Sequence, residues 1–238
     1  EIWVVAPGHS LDKYPEDFFC DKIAITVQAA VRVFPCLRDS KKAYFLGMDI
    51  DVFRFIQKNF PYGINRFIAP FAPEVEVPDK IKEHFIGLGD CGEEVIYLLR
   101  HRPLVRKKDE FVKIAKCFMN WRPGDELCFS QNRSATAHSA ITAAVVMGAN
   151  RITLCGCDEC TSKYRRDTVR GGLDVLQSSY LEGSTPTEFK EFPKEYQTGE
   201  QTTFQEMRSG TIWLARAFQP YGIRIRKYFY DSGYQELV

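Results

Sequence analysis

Short apolar runs of strand length recur along the chain, and longer helix-like or polar stretches separate them. The runs cover residues 2–6, 23–27, 43–46, 67–69, 127–129, 152–155 and 223–225. Their apolar residues are continuous rather than alternating, which is typical of parallel strands that are covered on both faces. The pattern therefore predicts the α/β class, with a mostly parallel sheet between two covering layers.

Two helix patterns stand out between these runs. The first covers residues 135–147, where Ser134 suits the N-cap and Gly148 suits the left-handed position after the last turn. The second covers residues 204–218 and ends before Pro220, which cannot continue a helix. Each pattern leads into an apolar run, so the chain repeats the helix-then-strand order that a parallel sheet requires.

Two segments interrupt this order. Residues 70–108 contain several prolines and a basic stretch at 100–108, and we interpret them as an insertion at the edge of the sheet with a solvated charged face. Residues 161–203 form a long polar connection, and loops of this length are often lids or binding loops. We expect one domain that spans residues 1–238.

Composition and charge narrow the class of protein. The 238 residues are 45% hydrophobic, which is enough for a sizeable core and excludes disorder as the main state. The 32 basic and 31 acidic residues give a formal charge of +1, so we expect no nucleic-acid partner. No apolar stretch approaches the roughly 20 residues that cross a bilayer, and we expect no membrane span.

The eight cysteines change the picture only slightly. In a long chain without a visible targeting segment they indicate reduced thiols and a cytoplasmic protein. A homo-oligomer is compatible with this interpretation. Cys155, Cys157 and Cys160 are close in sequence, but a fourth ligand at a recognisable spacing is missing. We therefore favour buried thiols over a zinc or iron–sulfur site.

The first candidate site follows the first apolar run, at Gly8, His9 and Ser10. If this turn opens a helix, its backbone N–H groups lie at the carboxyl edge of the sheet, where phosphates bind. The alternative is a glycine that serves a tight turn alone, because no full phosphate-loop consensus is present. The residues leave both interpretations open.

The second candidate site is the start of the 135–147 helix. Ser134 and Thr136 supply hydroxyls, Ala137 lets a ligand approach the backbone, and His138 supplies an imidazole. The helix dipole disfavours a charged imidazole there, so we expect a neutral His138. The alternative, which composition favours, is close helix-to-sheet packing with His138 as a hydrogen-bonded core residue.

Carboxylates and arginines supply the remaining candidates. Asp158 and Asp49 follow apolar runs, where a carboxylate can face a ligand hydroxyl or a magnesium ion. Arg165 and Arg166 lie in the predicted lid, where they would neutralise phosphate charge on a leaving group. A solvated loop is an equally good interpretation of these two arginines.

Two motifs together resemble a known family. The first is Val4-Val5-Ala6-Pro7-Gly8-His9-Ser10-Leu11, and the second joins Ala137-His138-Ser139-Ala140 to Ile152-Thr153-Leu154-Cys155-Gly156-Cys157-Asp158. They resemble the motility-associated factor and 6-hydroxymethylpterin diphosphokinase-like family. That family has a Rossmann-like fold related to bacterial sialyltransferases, and its members are nucleotide-dependent transferases.

The resemblance implies roles for particular residues. Gly8, His9 and Ser10 would form the phosphate turn. Thr136, Ala137 and His138 would face the nucleotide, and Asp158 would line the acceptor or metal side. The family motif has proline where this chain has His9. The sialyltransferases' catalytic histidine has no counterpart after Asp158, so His138, Asp158 or a carboxylate of the predicted lid would act as the catalytic base.

Three functions follow from these observations. The first is a glycosyltransferase-like enzyme that transfers a nucleotide-activated nonulosonic acid to a glycan, protein or small-molecule acceptor. The second is an ATP-dependent diphosphokinase that acts on a pterin-like alcohol, with Asp158 and Asp49 holding magnesium. The third is a non-catalytic Rossmann-like module that binds a partner through residues 100–108.

Overall fold

The structure of the chain is a computed structural model. It describes residues 1–6, 8–27, 30, 42–46, 66–69, 94–97, 99–101, 108–120, 128–130, 136–158 and 207–238.

The described residues form ten strands and three α-helices. The strands are β1 (Ile2–Val5), β2 (Ala24–Val27), β3 (Ala43–Leu46), β4 (Arg66–Ala69), β5 (Glu94–Tyr97), β6 (Leu99–His101), β7 (Cys128–Ser130), β8 (Arg151–Cys155), β9 (Arg224–Phe229) and β10 (Gly233–Glu236). The helices are α1 (Lys108–Asn120), α2 (Thr136–Val146) and α3 (207–218). Two short 3-10 helices cover His9–Lys13 and Gln219–Tyr221.

Eight of these strands form one mostly parallel sheet, in the order β10-β9-β8-β1-β2-β3-β4-β5. Only β10 runs antiparallel, since it returns beside β9 as a hairpin. Strands β6 and β7 pair in a separate two-stranded parallel sheet. The α/β class and the Rossmann-like architecture are confirmed.

Strand β1 lies at the centre of the large sheet and contributes to both of its faces. Ile2 and Val4 belong to a core cluster that includes buried residues of α1, α2 and α3. Trp3 and Val5 point to the other face, where they pack with residues such as Leu11. This alternation follows from the two-residue period of a strand.

Aromatic side chains dominate the second face. Tyr14 and Phe19 are buried there, and their rings stack with centroids 5.7 Å apart. Trp3 meets Phe18 and Tyr228 edge to face, each at 5.6 Å between centroids. Among the described residues, this face is therefore covered by the segment after β1 and by the C-terminal hairpin rather than by an α-helix.

The helix expected after Gly8 is the main difference from the sequence prediction. The segment forms only a five-residue 3-10 helix, His9–Lys13, and the chain becomes extended at Tyr14. Pro15 explains this end, because a proline disfavours the helical conformation of the residue before it. The prediction of a helix dipole at this turn was therefore wrong, since few peptide dipoles are aligned here.

The predicted helix before β8 is confirmed as α2. Gly148 follows it in the left-handed conformation, with φ 85°, and Gly222 takes φ 78° after α3 and the second 3-10 helix. In contrast, α1, β5, β6 and β10 were not expected, and β5 and β6 fall within the predicted insertion at residues 70–108. The apolar run at 127–129 corresponds to β7, which lies outside the large sheet.

No helix in the described ranges is both long enough and apolar enough to cross a membrane.

Candidate functional site

The direction in which the chain adds strands to the sheet reverses at β1. From β1 the chain builds β2 to β5 on one side, and then returns to place β8 and β9 on the other. In open parallel sheets such a reversal leaves a crevice at the carboxyl ends of the two central strands, and ligands bind there. The described residues that follow β1 and β8 at this point are 6 and 8–10 in the first segment and 156–158 in the second.

The two segments are joined by a double hydrogen bond. The backbone N–H of Ser10 donates to Oδ2 of Asp158 at 2.8 Å, and the Ser10 hydroxyl donates to Oδ1 at 2.5 Å. Ser10 is buried, while Asp158 is half-buried. The structure therefore brings together two of the residues predicted for the site, although 148 positions separate them.

Two glycines permit this close approach. A Cβ on Gly8 would lie 2.2 Å from the carbonyl oxygen of Gly156 and 2.5 Å from Oδ2 of Asp158. Gly156 has φ 64°, and a Cβ there would lie 1.9 Å from the carbonyl oxygen of Ala6. Any larger residue at either position would have to push the two segments apart.

The double hydrogen bond changes the predicted phosphate site. The Ser10 N–H was expected to face a phosphate, but it donates to a carboxylate of the chain itself. A phosphate bound to the same N–H would have to replace Asp158. The backbone of His9 belongs to the 3-10 helix, and its side chain lies outside the described residues.

Lys227 of β9 holds the second segment from the other side. Its Nζ donates to the carbonyl oxygen of Cys157 at 2.9 Å. In the sheet Lys227 is paired with Leu154, so its side chain extends past the carboxyl end of β8. Residues 156–158 are therefore fixed between Ser10 and Lys227.

His138 lies in the first turn of α2 and is buried, with 3% of its surface exposed. Its Nε2 lies 3.2 Å from the carbonyl oxygen of Met207 and 3.0 Å from Oγ1 of Thr211, both in α3. Because a carbonyl only accepts, Nε2 carries the proton and the ring is the Nε2–H tautomer. His138 thus connects the first turn of α2 to α3 through its Nε2 atom.

The environment of His138 makes the ring neutral, as the sequence predicts, but for another reason. Burial lowers its pKa to about 4, and the hydrogen bond to the Met207 carbonyl opposes this only in part. Desolvation rather than the helix dipole is the main cause. Its Nδ1 and the hydroxyl of Ser139 are buried without a hydrogen-bond partner among the described residues.

The other residues predicted for the start of α2 are only partly described. Thr136 is the first helical residue, but its side chain lies outside the described residues. Ala137 is partly buried and packs against the core cluster of the helical face. Ser134 and the predicted ligands Asp49, Arg165 and Arg166 also lie outside the described residues, as does the predicted lid.

The magnesium ion that the sequence allowed at Asp158 stays a prediction, because Asp49, its other proposed ligand, lies outside the described residues. They contain no group of three or more His, Cys, Asp or Glu side chains that could hold a metal ion. Both oxygens of Asp158 already accept hydrogen bonds from Ser10.

The sequence did not single out Tyr14, which borders the crevice on the aromatic face. Its hydroxyl donates to the carbonyl oxygen of Tyr228. Burial raises the pKa of Tyr14, and the nearby Cys155, Tyr228 and Asp158 raise it further. Burial also raises the pKa of Cys155 to about 12, so this thiol stays protonated, as predicted for a core cysteine.

Two solved structures are similar to this chain at low identity, and both are of the sialyltransferase CstII from Campylobacter jejuni. One is in complex with a substrate analogue, cytidine-5′-monophosphate; it is 14% identical, with 75% of each chain covered and a TM-score of 0.32. The other is in complex with CMP-3FNeuAc; it is also 14% identical, covers 75% of this chain and 76% of that one, and has a TM-score of 0.37.

At these TM-scores the likeness carries no argument about function, and the bound molecules are properties of those complexes. No protein-family model matches the chain, and no curated protein matches it. The family suggested by the two motifs therefore stays a prediction.

Proposed function

We propose that this chain is a nucleotide-dependent transferase of the glycosyltransferase-like kind, which uses a nucleotide-activated nonulosonic acid as donor. One observation carries the proposal. Gly8, Ser10 and Asp158 converge at the point where the strand order reverses, which is where Rossmann-like sheets bind nucleotides. The two motifs that resemble a transferase family contain the same three residues.

Asp158 is the general base in this proposal. The acceptor hydroxyl attacks the anomeric carbon of the donor, its proton passes to Asp158, and the bond between that carbon and the phosphate oxygen breaks. The nucleotide monophosphate leaves with the bonding electrons. The Ser10 hydroxyl supports this role, because it already donates to Oδ1 of Asp158 as an acceptor hydroxyl would.

His138 is better suited to position α2 than to take a proton. It is buried, and its protonated Nε2 is engaged by α3. We therefore assign the proton transfer to Asp158 alone. His138 would keep the start of α2, with Thr136 and Ala137, in place beside the nucleotide.

The donor phosphate would contact the turn at Gly8, His9 and Ser10. Because the Ser10 N–H donates to Asp158, donor binding on that N–H requires the carboxylate to turn away from it. The freed carboxylate could then face the acceptor. Arg165 and Arg166 would neutralise charge on the departing phosphate, as the sequence predicts.

Nucleotide binding tests the proposal directly. A ligand that binds only the folded state raises the melting temperature. We expect CMP and a CMP-activated nonulosonic acid to raise it without magnesium. ATP that binds only with magnesium would favour the diphosphokinase instead, and no binding of CMP, UDP, GDP or ATP would favour the non-catalytic module.

Substitution of Asp158 tests the assigned base. Asp158→Asn keeps the size of the side chain and an oxygen that can accept from Ser10, but it removes the base. We expect kcat for transfer to fall by about 10²–10⁴, while binding of the donor nucleotide, measured by calorimetry, persists. Asp21→Asn, at an exposed carboxylate before β2 and therefore at the opposite edge of the sheet, is the control. Full activity of Asp158→Asn would remove Asp158 from the mechanism.

A further inference from the structure

The turn of the C-terminal hairpin lies at the same edge of the sheet as the crevice. Strand β9 runs parallel to β8, so the turn at residues 230–232 leaves the carboxyl end of the sheet, as residues 156–158 do. Lys13, in the 3-10 helix after β1, forms an ion pair with Asp231 in this turn. The hairpin turn is therefore docked against the segment that forms one wall of the crevice.

Three tyrosines of the hairpin form an aromatic ledge, which we define as Tyr228, Tyr230 and Tyr234. Tyr230 is 45% exposed and Tyr234 is 49% exposed, although both are large aromatic residues. The rings of Tyr228 and Tyr234 lie 4.8 Å apart between centroids. The ledge thus offers aromatic surface to solvent beside the crevice.

The ledge is held in a fixed position by its neighbours. The guanidinium of Arg226 lies 3.5 Å from the ring centroid of Tyr234, which is a close cation–π contact. The ring of Tyr14 lies 5.7 Å from that of Tyr230, and the Tyr14 hydroxyl donates to the backbone of Tyr228. Rings that are already fixed lose little entropy when a ligand binds to them.

Tyr14 also connects the ledge to the crevice. Its ring contacts Tyr230 on one side, and the Asp158 carboxylate is close enough for its charge to contribute, after burial, to the raised pKa of Tyr14. A single side chain therefore lies between the exposed ring and the assigned base.

We propose that the aromatic ledge binds a saccharide, and that the acceptor of the transfer is a glycan rather than a protein or a small alcohol. The inference rests on the proposed function and specifies its acceptor. Tyrosine rings stack on the C–H face of a pyranose, while the exposed Lys13 and Asp231 offer hydrogen-bond partners to its hydroxyls. This mixture of aromatic and paired polar groups suits a sugar better than an apolar protein segment.

Saturation-transfer NMR with lactose, maltose and N,N′-diacetylchitobiose tests the ledge. We expect at least one of these disaccharides to receive saturation from the protein. Tyr230→Ala should weaken its binding by about tenfold, or about 1.4 kcal/mol, because the variant loses the ring on which the sugar stacks. Tyr230→Phe, which keeps the ring, should retain most of the affinity.

A matched control is available at the opposite edge of the sheet. Tyr221 is 42% exposed and lies in the 3-10 helix before β9, at the amino end of that strand. Tyr221→Ala should leave disaccharide binding unchanged. Binding that Tyr221→Ala and Tyr230→Ala weaken equally, or that Tyr230→Ala leaves intact, would overturn the ledge.

The saccharide-binding ledge and the proposed function can be disproved independently of each other. Disaccharide binding that depends on Tyr230, in a protein that binds no nucleotide, would keep the ledge and remove the transferase. Nucleotide binding without binding of any of the three disaccharides would keep the transferase and remove the ledge. If Tyr230→Ala lowers the melting temperature, Tyr234→Ser provides a second variant with the same expected loss.

Discussion

Gly8 determines how closely the two segments of the crevice approach each other. Its φ of −78° suits any residue, so the requirement for glycine is steric rather than conformational. We expect Gly8→Ala to lower the free energy of unfolding by at least about 2 kcal/mol, because the new methyl group overlaps backbone of the second segment. Urea unfolding measures the loss, and faster hydrogen exchange at the Ser10 amide should accompany it.

Gly233→Ala is the control for this substitution. Gly233 has φ 78° and open space around a Cβ, so alanine there meets backbone strain but no neighbour. We expect a cost of about 1–2 kcal/mol and no change in exchange at Ser10. Equal exchange at Ser10 in both variants would show that Gly8 does not control the approach.

His138 makes folding stability depend on pH. Its pKa is lowered to about 4 by burial, from an ordinary value of 6.5. Between these values the unfolded chain binds a proton that the folded chain does not, so stability falls as the pH drops through this range. The contribution of the neutral His138 to the free energy of unfolding is fully present above pH 6.5 and is lost below about pH 4. It amounts to about 3 kcal/mol.

His138→Gln removes the titrating group and keeps an N–H that can donate to the Met207 carbonyl. We expect its free energy of unfolding, measured in urea at several pH values, to fall less steeply with acid than that of the wild type. Ser139→Ala, which removes a neighbouring buried hydroxyl but no titrating group, should keep the wild-type slope. An unchanged slope in His138→Gln would mean that His138 titrates normally in the fold.

Among the secondary-structure elements, β9 has a second role besides sheet pairing, because Lys227 holds the segment after β8. Lys227→Met removes the donor to the Cys157 carbonyl. Since hydrogen bonds to charged groups contribute about 1.5–3 kcal/mol, we expect a loss of that order in urea unfolding and faster exchange at residues 156–158. Lys227→Arg should restore part of both, whereas Arg224→Met, at an exposed position of the same strand, should change neither.

The elements that the sequence predicted are those with a strong local signal. The apolar runs at β1, β2, β3 and β8 lie within one residue of the observed strands. The helix α2 was recognisable from its apolar length and from Gly148. Burial on both faces demands such runs, so their pattern survives in the sequence.

Two of the elements that were not predicted from the sequence show why: one has no continuous apolar run, and the other is marked by a helical period instead. Strand β10 has the sequence GYQE and is mostly exposed at the sheet edge, so no apolar run marks it. Helix α1 does have apolar residues at helical spacing, at Phe111, Ala115 and Phe118, and this period is sufficient to predict a helix there.

The residues of the candidate site could be predicted from the sequence, but the contacts between them could not. Glycines and carboxylates at strand ends pointed to Gly8, Ser10 and Asp158. Nothing local in the sequence indicates that Ser10 and Asp158 bond to each other, because the contact depends on β8 returning beside β1. For the same reason Lys227 could not be assigned, since its role depends on the register of β9.

For the molecule as a whole, β1 couples the two faces of the sheet. Val4 packs with the helices and Val5 packs with the aromatic face. Neither core cluster can therefore unfold without disturbing β1. We therefore expect both faces to unfold together. In a variant with Trp121→Phe and Trp213→Phe, the fluorescence of Trp3 reports the aromatic face, and far-ultraviolet circular dichroism reports the helices.

The two signals should give the same urea midpoint in this variant. A reciprocal variant, with Trp3→Phe and Trp121→Phe, reports through Trp213, which packs against the helical cluster, and should give that midpoint as well. Loss of the Trp3 signal at lower urea than the helical signal would mean that the aromatic face unfolds independently.

The central position of β1 also affects how the chain folds as it leaves the ribosome. Trp3 pairs with Ala24 on one side, but its partner on the other side is Thr153. At ordinary rates of translation, about 150 residues take roughly 10–30 s to synthesise. During that time one side of β1 has no native neighbour, and an open strand edge readily pairs with other chains. We therefore expect the newborn chain to bind a holding chaperone until β8 emerges.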